Sequence, residues 1–424
     1  MAQARSAQPA VSPANDSFLG YLTGFLKFPN LVWGAVAIAI AIGIYFFANS
    51  NEALMGTFWV LGLTFGFVLQ RSRFCFASGF RDIFLLSHGR NIKGIIIGMA
   101  IAAVGFSALM ARQVPNTALG ILPPDANVLP IGWHTVLGGL LFGFGMVVAG
   151  GCVSGSIYRM GEGYVASWVS FFGITFGVLA AAFTWNWWWE FSIKDGARIW
   201  LPHLIGHAGA LAVTLIALVV LYLAVMWWES RGGMVVPDHP FTGEPEDSFV
   251  ARVRNIVKRI FVHGWPALLG GAILGGLNFV SYVIARPWGF TGELSRWSIG
   301  ISNGLGIGPG ELAGVDALPG CTLELGNDGV LHFMLFLVIG MIYGSFIAAL
   351  FSGEFKIRVP RQRVRFVQAA GGGLIMGYGA GIAMGCTIGA FFSAIPSLAL
   401  NGWVFAVFLA AGAWLGTQAI KRIP

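Results

Sequence analysis

Four cysteines carry the most reactive side chains of this 424-residue sequence: Cys75, Cys152, Cys321 and Cys386. Two of them occupy matched settings. "GGCVSGSIYRMGEG" covers 150–163 and "GCTIGAFFSAIPS" covers 385–397, and each sets a thiol behind glycine at the end of a strongly apolar run. None of the four forms a metal-type CxxC pair. Structural disulfides or inert buried thiols are the plain alternative, and the repeated glycine setting weighs against it.

The glycines flanking these thiols are Gly151, Gly155, Gly385 and Gly389. A Gly-Cys-x-x-Gly segment followed by Gly161 and Gly163, or by Pro396, predicts a broken helix. Broken helices at membrane depth occur where backbone lines a cavity. The next half-helix then aims its N–H groups and positive dipole end into that cavity. Arg73, Arg159 and Arg286 stand near such segments, and few carboxylates fall within the apolar runs, so the cavity favours an anion. Interfacial anchoring is the alternative for the arginines. A thiol is a weak donor and a polarisable partner. A sulfur-terminated anion such as thiosulfate gains more from it than sulfate or phosphate does. Each contact is worth about 1 kcal/mol, and weak sequential sites allow passage rather than trapping.

The surrounding elements are membrane helices. The chain is 56% hydrophobic and only 10% charged, with a mean hydropathy of +0.76; a soluble domain carries about 25% charge. Apolar runs predict ten spans near 31–49, 54–70, 92–111, 134–152, 164–184, 204–228, 264–285, 331–351, 367–386 and 399–419. Lys and Arg crowd the stretches 71–93, 231–259 and 356–365 and the C-terminus, which places these, and both termini, in the cytoplasm. The opposite side is poor in positive charge, and one of its loops holds Glu311, Asp316, Glu324 and Asp328. The net charge of +7 therefore reports topology rather than nucleic-acid binding. Residues 1–17 are polar and small, read as a disordered cytoplasmic tail rather than a cleaved signal. "WNWWWEF" (185–191) reads as an interfacial aromatic belt. The polar stretch 229–263, with Pro237, Pro240 and Pro245, reads as a cytoplasmic linker ending in a basic amphipathic segment. No GxxxxGK[ST] loop is present, so ATP-driven transport by this chain alone is not expected.

A shift of 234 residues lays 138–156 over 372–390 with nine identities, Cys152 falling on Cys386. A weaker match lays "RFCFASGF" (73–80) over "PWGFTGEL" (287–294). The expected topology runs the two motif helices in opposite directions. The expected fold is therefore an all-α integral membrane protein with two inverted four-helix repeats and broken or re-entrant helices. Its expected parts are a cytoplasmic tail (1–30), an extra N-terminal helix (31–53), a first repeat (54–203), a linker helix and cytoplasmic loop (204–263), and a second repeat (264–424).

"QRSRFCFASGFRDIF" (70–84), "GGCVSGSIYRMGEGYVASW" (150–168), "ARPWGFTGEL" (285–294) and "MGYGAGIAMGCTIGAFFSAIP" (376–396) resemble the YeeE/YedE sulfur-transport family over most of 54–419. The resemblance implies a bacterial inner-membrane, multi-pass importer of thiosulfate or a related sulfur anion, not an enzyme. It implies relay between cysteines through transient S–H···S contacts, a role carried by motif match to Cys152 and Cys386. Cys75 and Cys321 are added as further pathway thiols, with Gly151, Gly155, Gly385, Gly389 and Arg159 lining the site. No cofactor or metal is implied. The family often works with a small TusA-like sulfur-carrier protein; the chain has no Cys-Pro-x-Pro domain, so that partner would be a separate chain. The first motif is bulkier than the small-residue version of thiosulfate members, which leaves a selenium species or another sulfur anion as alternative cargo. A membrane thiol redox or sulfurtransferase enzyme with persulfidated cysteines is the alternative from another class.

Overall fold

The computed structural model describes residues 28–232, 255, 258–318, 323–325 and 331–422. The expected N-terminal tail, most of the polar linker and Cys321 lie outside the described residues. Among the described residues the fold is helical, with β-contacts limited to isolated bridges. Thirteen α-helices carry it: α1 (Phe28–Asn51), α2 (Ala53–Ser72), α3 (Phe76–Leu86), α4 (Arg90–Gln113), α5 (Trp133–Ala149), α6 (Val153–Gly161), α7 (Val165–Trp188), α8 (Leu201–Gly232), α9 (Ala267–Ile284), α10 (Thr291–Gly304), α11 (Phe333–Phe351), α12 (Val364–Ile382) and α13 (Leu400–Lys421). Nine described helical segments are long and apolar enough to cross a membrane, or ten when α12 and the bent π-helical turn Thr387–Ser393 count as one span. Helices satisfy all their backbone groups internally, which the hydrocarbon core demands.

The long helices are held together by glycine. Helix α2 packs on α11, α4 on α9, α5 on α13, α7 on α12, and α5 crosses α12. A Cβ on Gly66 would collide with the carbonyl of Met341, and one on Gly143 with that of Leu409. The same holds for Gly177 against Leu374 and Gly275 against Gly98. Without side chains at these points the backbones touch, the close packing that replaces hydrophobic driving force inside a bilayer. The contacts also give direction. Gly62 meets Leu337 and Gly66 meets Met341, so α2 and α11 run parallel. Gly138 meets Gly379 and Gly145 meets Gly372, so α5 and α12 run antiparallel.

Three short helices (α3, α6 and α10) and the turn 387–393 fill the space between these seams, largely buried. Their lengths are well below the ~20 residues of a span. They follow breaks in the chain: the span expected at 134–152 stops at Ala149, and that expected at 367–386 bends by 50° after Ile382. Within the tryptophan run, Trp187 is exposed, while Trp185 donates to the Ala313 carbonyl at 2.9 Å and Trp188 to the Tyr378 hydroxyl at 3.0 Å. The aromatic belt is therefore partly an internal anchor for the end of α7.

Candidate functional site

One local geometry recurs at all three described cysteines. Each is the N-cap of a short buried helix: Cys75 of α3, Cys152 of α6 and Cys386 of the turn 387–393. Each has extended backbone, and two residues earlier stands a left-handed residue: Arg73 (φ 49°), Gly150 (φ 80°) and Met384 (φ 56°). The left-handed residue ends the preceding helix and the extended cysteine starts the next. The thiol is thereby set at a break, beside the unsatisfied N–H groups of a new helix. Glycine adopts that conformation without cost; Arg73 and Met384 adopt it at roughly 1–2 kcal/mol each. A strained backbone kept at corresponding points fits a functional break.

Two of the thiols are brought together. The Cys75 and Cys152 thiols converge on one point and interact. A Cβ placed on Gly155 would lie 3.0 Å from Cys75 Sγ and 3.3 Å from Cys152 Sγ, so this glycine makes the room both sulfurs occupy. The Gly155 N–H donates to Cys152 Sγ at 3.3 Å, and Ser154 Oγ lies 3.3 Å from the same sulfur. Both thiols are buried and reduced. Gly151 is buried at the turn itself, where a Cβ would make only ordinary contact.

Arg159 reaches back along α6 to this turn. Its Nη1 donates to the Gly150 carbonyl at 2.6 Å and its Nε to Tyr158 Oη at 3.4 Å, and its charge acts on Cys75. The other two arginines singled out by the sequence are differently engaged. Arg73 pairs with Glu354 at 2.7 Å, and Arg286 with Glu324 at 2.7 Å. Among the described residues Arg159 has no carboxylate within ion-pair distance, and its charge acts on Cys75 and on Glu162.

Cys386 sits at the corresponding break of the second half, in the same buried cluster as the other two cysteines. Phe76 beside Cys75 packs edge-on against Phe392 of the turn, ring centroids 5.3 Å apart. A Cβ on Gly385 would meet the Ala390 nitrogen at 2.8 Å, and the Gly389 carbonyl accepts from Asn127 Nδ2 at 3.0 Å. Asn127 Oδ1 and Thr387 Oγ1 are buried with no hydrogen-bond partner, which gives this break polar atoms to offer a solute. Asn127 and Thr387 escaped the sequence reading because neither belongs to a spaced pattern.

A polar cluster that the sequence reading also missed lies at the far end of α6. Gln70 Nε2 donates to Glu354 Oε2 at 2.8 Å, and the fully buried Arg71 bonds Gln70, Glu354 and the Phe261 carbonyl. Glu162, the residue after α6, faces Gln70 and Arg159. Burial pushes its carboxyl above the usual range, with the Arg159 charge pulling the other way. Burial alone would raise Glu354 too, but the hydrogen bond from Arg73 and the Arg71 charge hold it below that range. In the loop after α10, burial likewise opposes ionisation of Glu324, and the charges of Arg286 and Arg296 overcome it and hold the carboxyl low. Arg296 bonds it at 2.7 and 3.1 Å. Glu293, Glu324 and His332 cluster closely enough to be compared with a metal site. The two guanidiniums already on Glu324 make it an ion-pair network instead.

The family model described as "Sulphur transport" matches residues 71–415. Among curated proteins, the chain is 29% identical over 370 residues to the thiosulfate transporter TsuA of Escherichia coli (strain K12), covering 86% of this chain and 94% of that one. It is 28% identical over 372 residues to the thiosulfate transporter TsuA of Spirochaeta thermophila, covering 84% and 96%. It is 30% identical over 231 residues to the probable transporter YedE of E. coli, about half of each chain. With the broken helices and their thiols inside the matched stretch, this multi-pass membrane protein belongs to the YeeE/YedE sulphur-transport family.

Proposed function

We propose that the protein imports thiosulfate or a closely related sulfur anion across the bacterial inner membrane, handing it between cysteine thiols without covalent capture. The observation that carries this reading is the convergence of Cys75 and Cys152 over Gly155, with the Arg159 charge acting on the same spot. The guanidinium suits the charge of the anion, and the sulfurs suit its terminal sulfur. Cys386, and Cys321 from the outer loop, complete the relay. The names of the TsuA relatives favour the same cargo.

An inverted repeat is the architecture that this pathway needs, and the helix contacts favour one. Shifting by 234 residues carries Gly138 onto Gly372 and Gly145 onto Gly379. The contact of Gly138 with Gly379 thereby maps onto that of Gly372 with Gly145, as a two-fold axis requires. The same shift carries the α7–α12 seam onto α13–α5, and in chain order the α2–α11 seam has its counterpart in α9–α4. The basic loops favour a cytoplasmic position for both termini, and a separate TusA-like carrier there would consume the sulfur.

The test is uptake of sulfur-labelled thiosulfate into proteoliposomes, with sulfate as competitor. Cys75→Ala, Cys152→Ala and Cys386→Ala each should lower the rate on the order of tenfold, the equivalent of ~1.4 kcal/mol. Uptake that survives all three makes the thiols bystanders. The closeness of Cys75 and Cys152 also favours a second reading, a membrane sulfurtransferase or thiol redox enzyme. A sulfur adduct on either cysteine after turnover, seen by mass spectrometry, selects that reading.

A further inference from the structure

We propose that Glu162 takes up a proton when an anion docks beside Cys75, Cys152 and Arg159, so that the transporter carries a proton with its cargo. The proposal rests on the anion-transport reading above and adds its energy coupling.

One nine-residue helix, α6, has the Cys152 thiol at its start and is followed directly by Glu162. Arg159 lies between, and its charge is felt by both Cys75 and Glu162. Without cargo, ionised Glu162 offsets part of the Arg159 charge. An arriving anion brings a second negative charge to the same guanidinium. Two anions sharing one cation in a buried setting repel, and a proton on Glu162 removes the conflict. The linkage is reciprocal: whatever the anion does to proton affinity, the proton does to anion affinity.

The other groups facing Glu162 decide which carboxyl responds. From α6 come Tyr158 and Arg159; from α2 and its end come Gln70, Arg71 and Arg73; from the segment after α11 come Glu354 and Arg358. Tyr164 begins the next helix, with its ring under Arg358 at 4.6 Å. Glu354 is fixed as an ion by Arg71 at 3.0 Å and Arg73 at 2.7 Å. Arg358 spends one donor on the Glu162 carbonyl, at 3.1 Å, rather than on its carboxylate. Of these two carboxyls, Glu162 is the one without an ion pair among the described residues, and burial already favours its neutral form. Gln70, which Glu162 faces, bonds Glu354, and Glu354 pairs with Arg73, whose side chain is 73% exposed, so polar groups lead from the carboxyl toward solvent. The coupling also has a use. A doubly charged anion moving inward works against an interior-negative potential, and each proton carried with it removes one charge from that load.

The experiment titrates thiosulfate into the purified full-length protein from about pH 5 to about pH 8, with a pH dye in weak buffer. Affinity should fall by up to about tenfold per pH unit on the alkaline side, with proton uptake approaching one per anion bound. Glu162→Gln should bind with the tight, low-pH affinity throughout and take up no proton; Glu162→Asp should restore the slope. Thiosulfate binding by the wild type with a flat pH profile and no proton uptake overturns the proposal, as does unchanged proton uptake in Glu162→Gln. The wild-type measurement stands even where the variant fails to fold. If the wild type binds no thiosulfate at any pH, the transport reading itself falls, a result distinct from binding without protons.

Discussion

Gly150 and Met384 hold the same left-handed backbone two residues ahead of Cys152 and Cys386, and a shift of 234 residues carries one onto the other. One is a glycine with open space where a Cβ would be; the other buries a methionine side chain in the core. The break is therefore kept at two points by different means, once by backbone freedom and once by packing that outweighs strain.

Gly150→Ala isolates the backbone cost. Its new methyl meets nothing within 4 Å, so the loss should be about 1–2 kcal/mol, the price of a left-handed alanine. Gly143→Ala should cost more, because its Cβ would drive into the Leu409 carbonyl and part α5 from α13. Thermal unfolding in detergent ranks the two; equal losses would contradict the seam geometry.

Gly155→Ala should spare the helix and injure the site. Alanine is the better helix former, but its methyl would sit 3.0 Å from Cys75 Sγ and 3.3 Å from Cys152 Sγ. Thiosulfate uptake should drop on the order of tenfold or more, about 1.4 kcal/mol per decade, with little change in melting temperature. Normal uptake would show that the space between the sulfurs is not used.

Arg159→Lys separates charge from geometry. Lysine keeps the positive charge but cannot bond the Gly150 carbonyl and the Tyr158 hydroxyl from one planar group. Affinity for thiosulfate should survive better in Arg159→Lys than in Arg159→Gln, while both should loosen the turn, visible as faster hydrogen exchange at 150–155. Equal binding by the two variants would show that the charge is not used.

Glu324 gives a pH signature to stability. Its carboxyl is held below the usual range when folded, so its contribution is complete above the unfolded value near ~4.3 and is lost as pH falls through the lower folded value. Glu324→Gln should cost roughly 2 kcal/mol at neutral pH, a buried-pair loss discounted for its partial exposure. The gap to wild type should close under acid conditions, below about pH 4. A gap that persists there would mean that the Arg286 and Arg296 contacts do not depend on its charge.

Much of the scaffold is legible in the chain because hydrocarbon imposes a simple rule. Runs of apolar residues near the expected spans became the long helices; on α12, Gly373, Gly377 and Gly381 line the seam with α7, and Gly372 and Gly379 the crossing with α5. The break at Gly-Cys-x-x-Gly was readable from glycine alone. The short helices were not, since eleven residues from Phe76 to Leu86 or nine from Val153 to Gly161 give too little periodicity to separate them from the span before. The pairing of Cys75 with Cys152 was equally hidden. The two residues lie in different motifs, and their sulfurs come together only where Cys75, at the start of α3, meets the first turn of α6. Nothing in the sequence singles out Glu162; its setting comes from its neighbours on α2 and after α11.

The glycine seams have a mechanical consequence. Every one of them joins a helix from before the linker to a helix from after it: α2 to α11, α4 to α9, α5 to α13 and α7 to α12. The two lengths of chain are laced together rather than set side by side. Rocking one bodily against the other would have to unlace all these seams at once, and neither length offers a complete surface without its counterpart. On the proposed transport reading, the movement that lets a solute through therefore falls to the short thiol-bearing segments rather than to the laced frame around them.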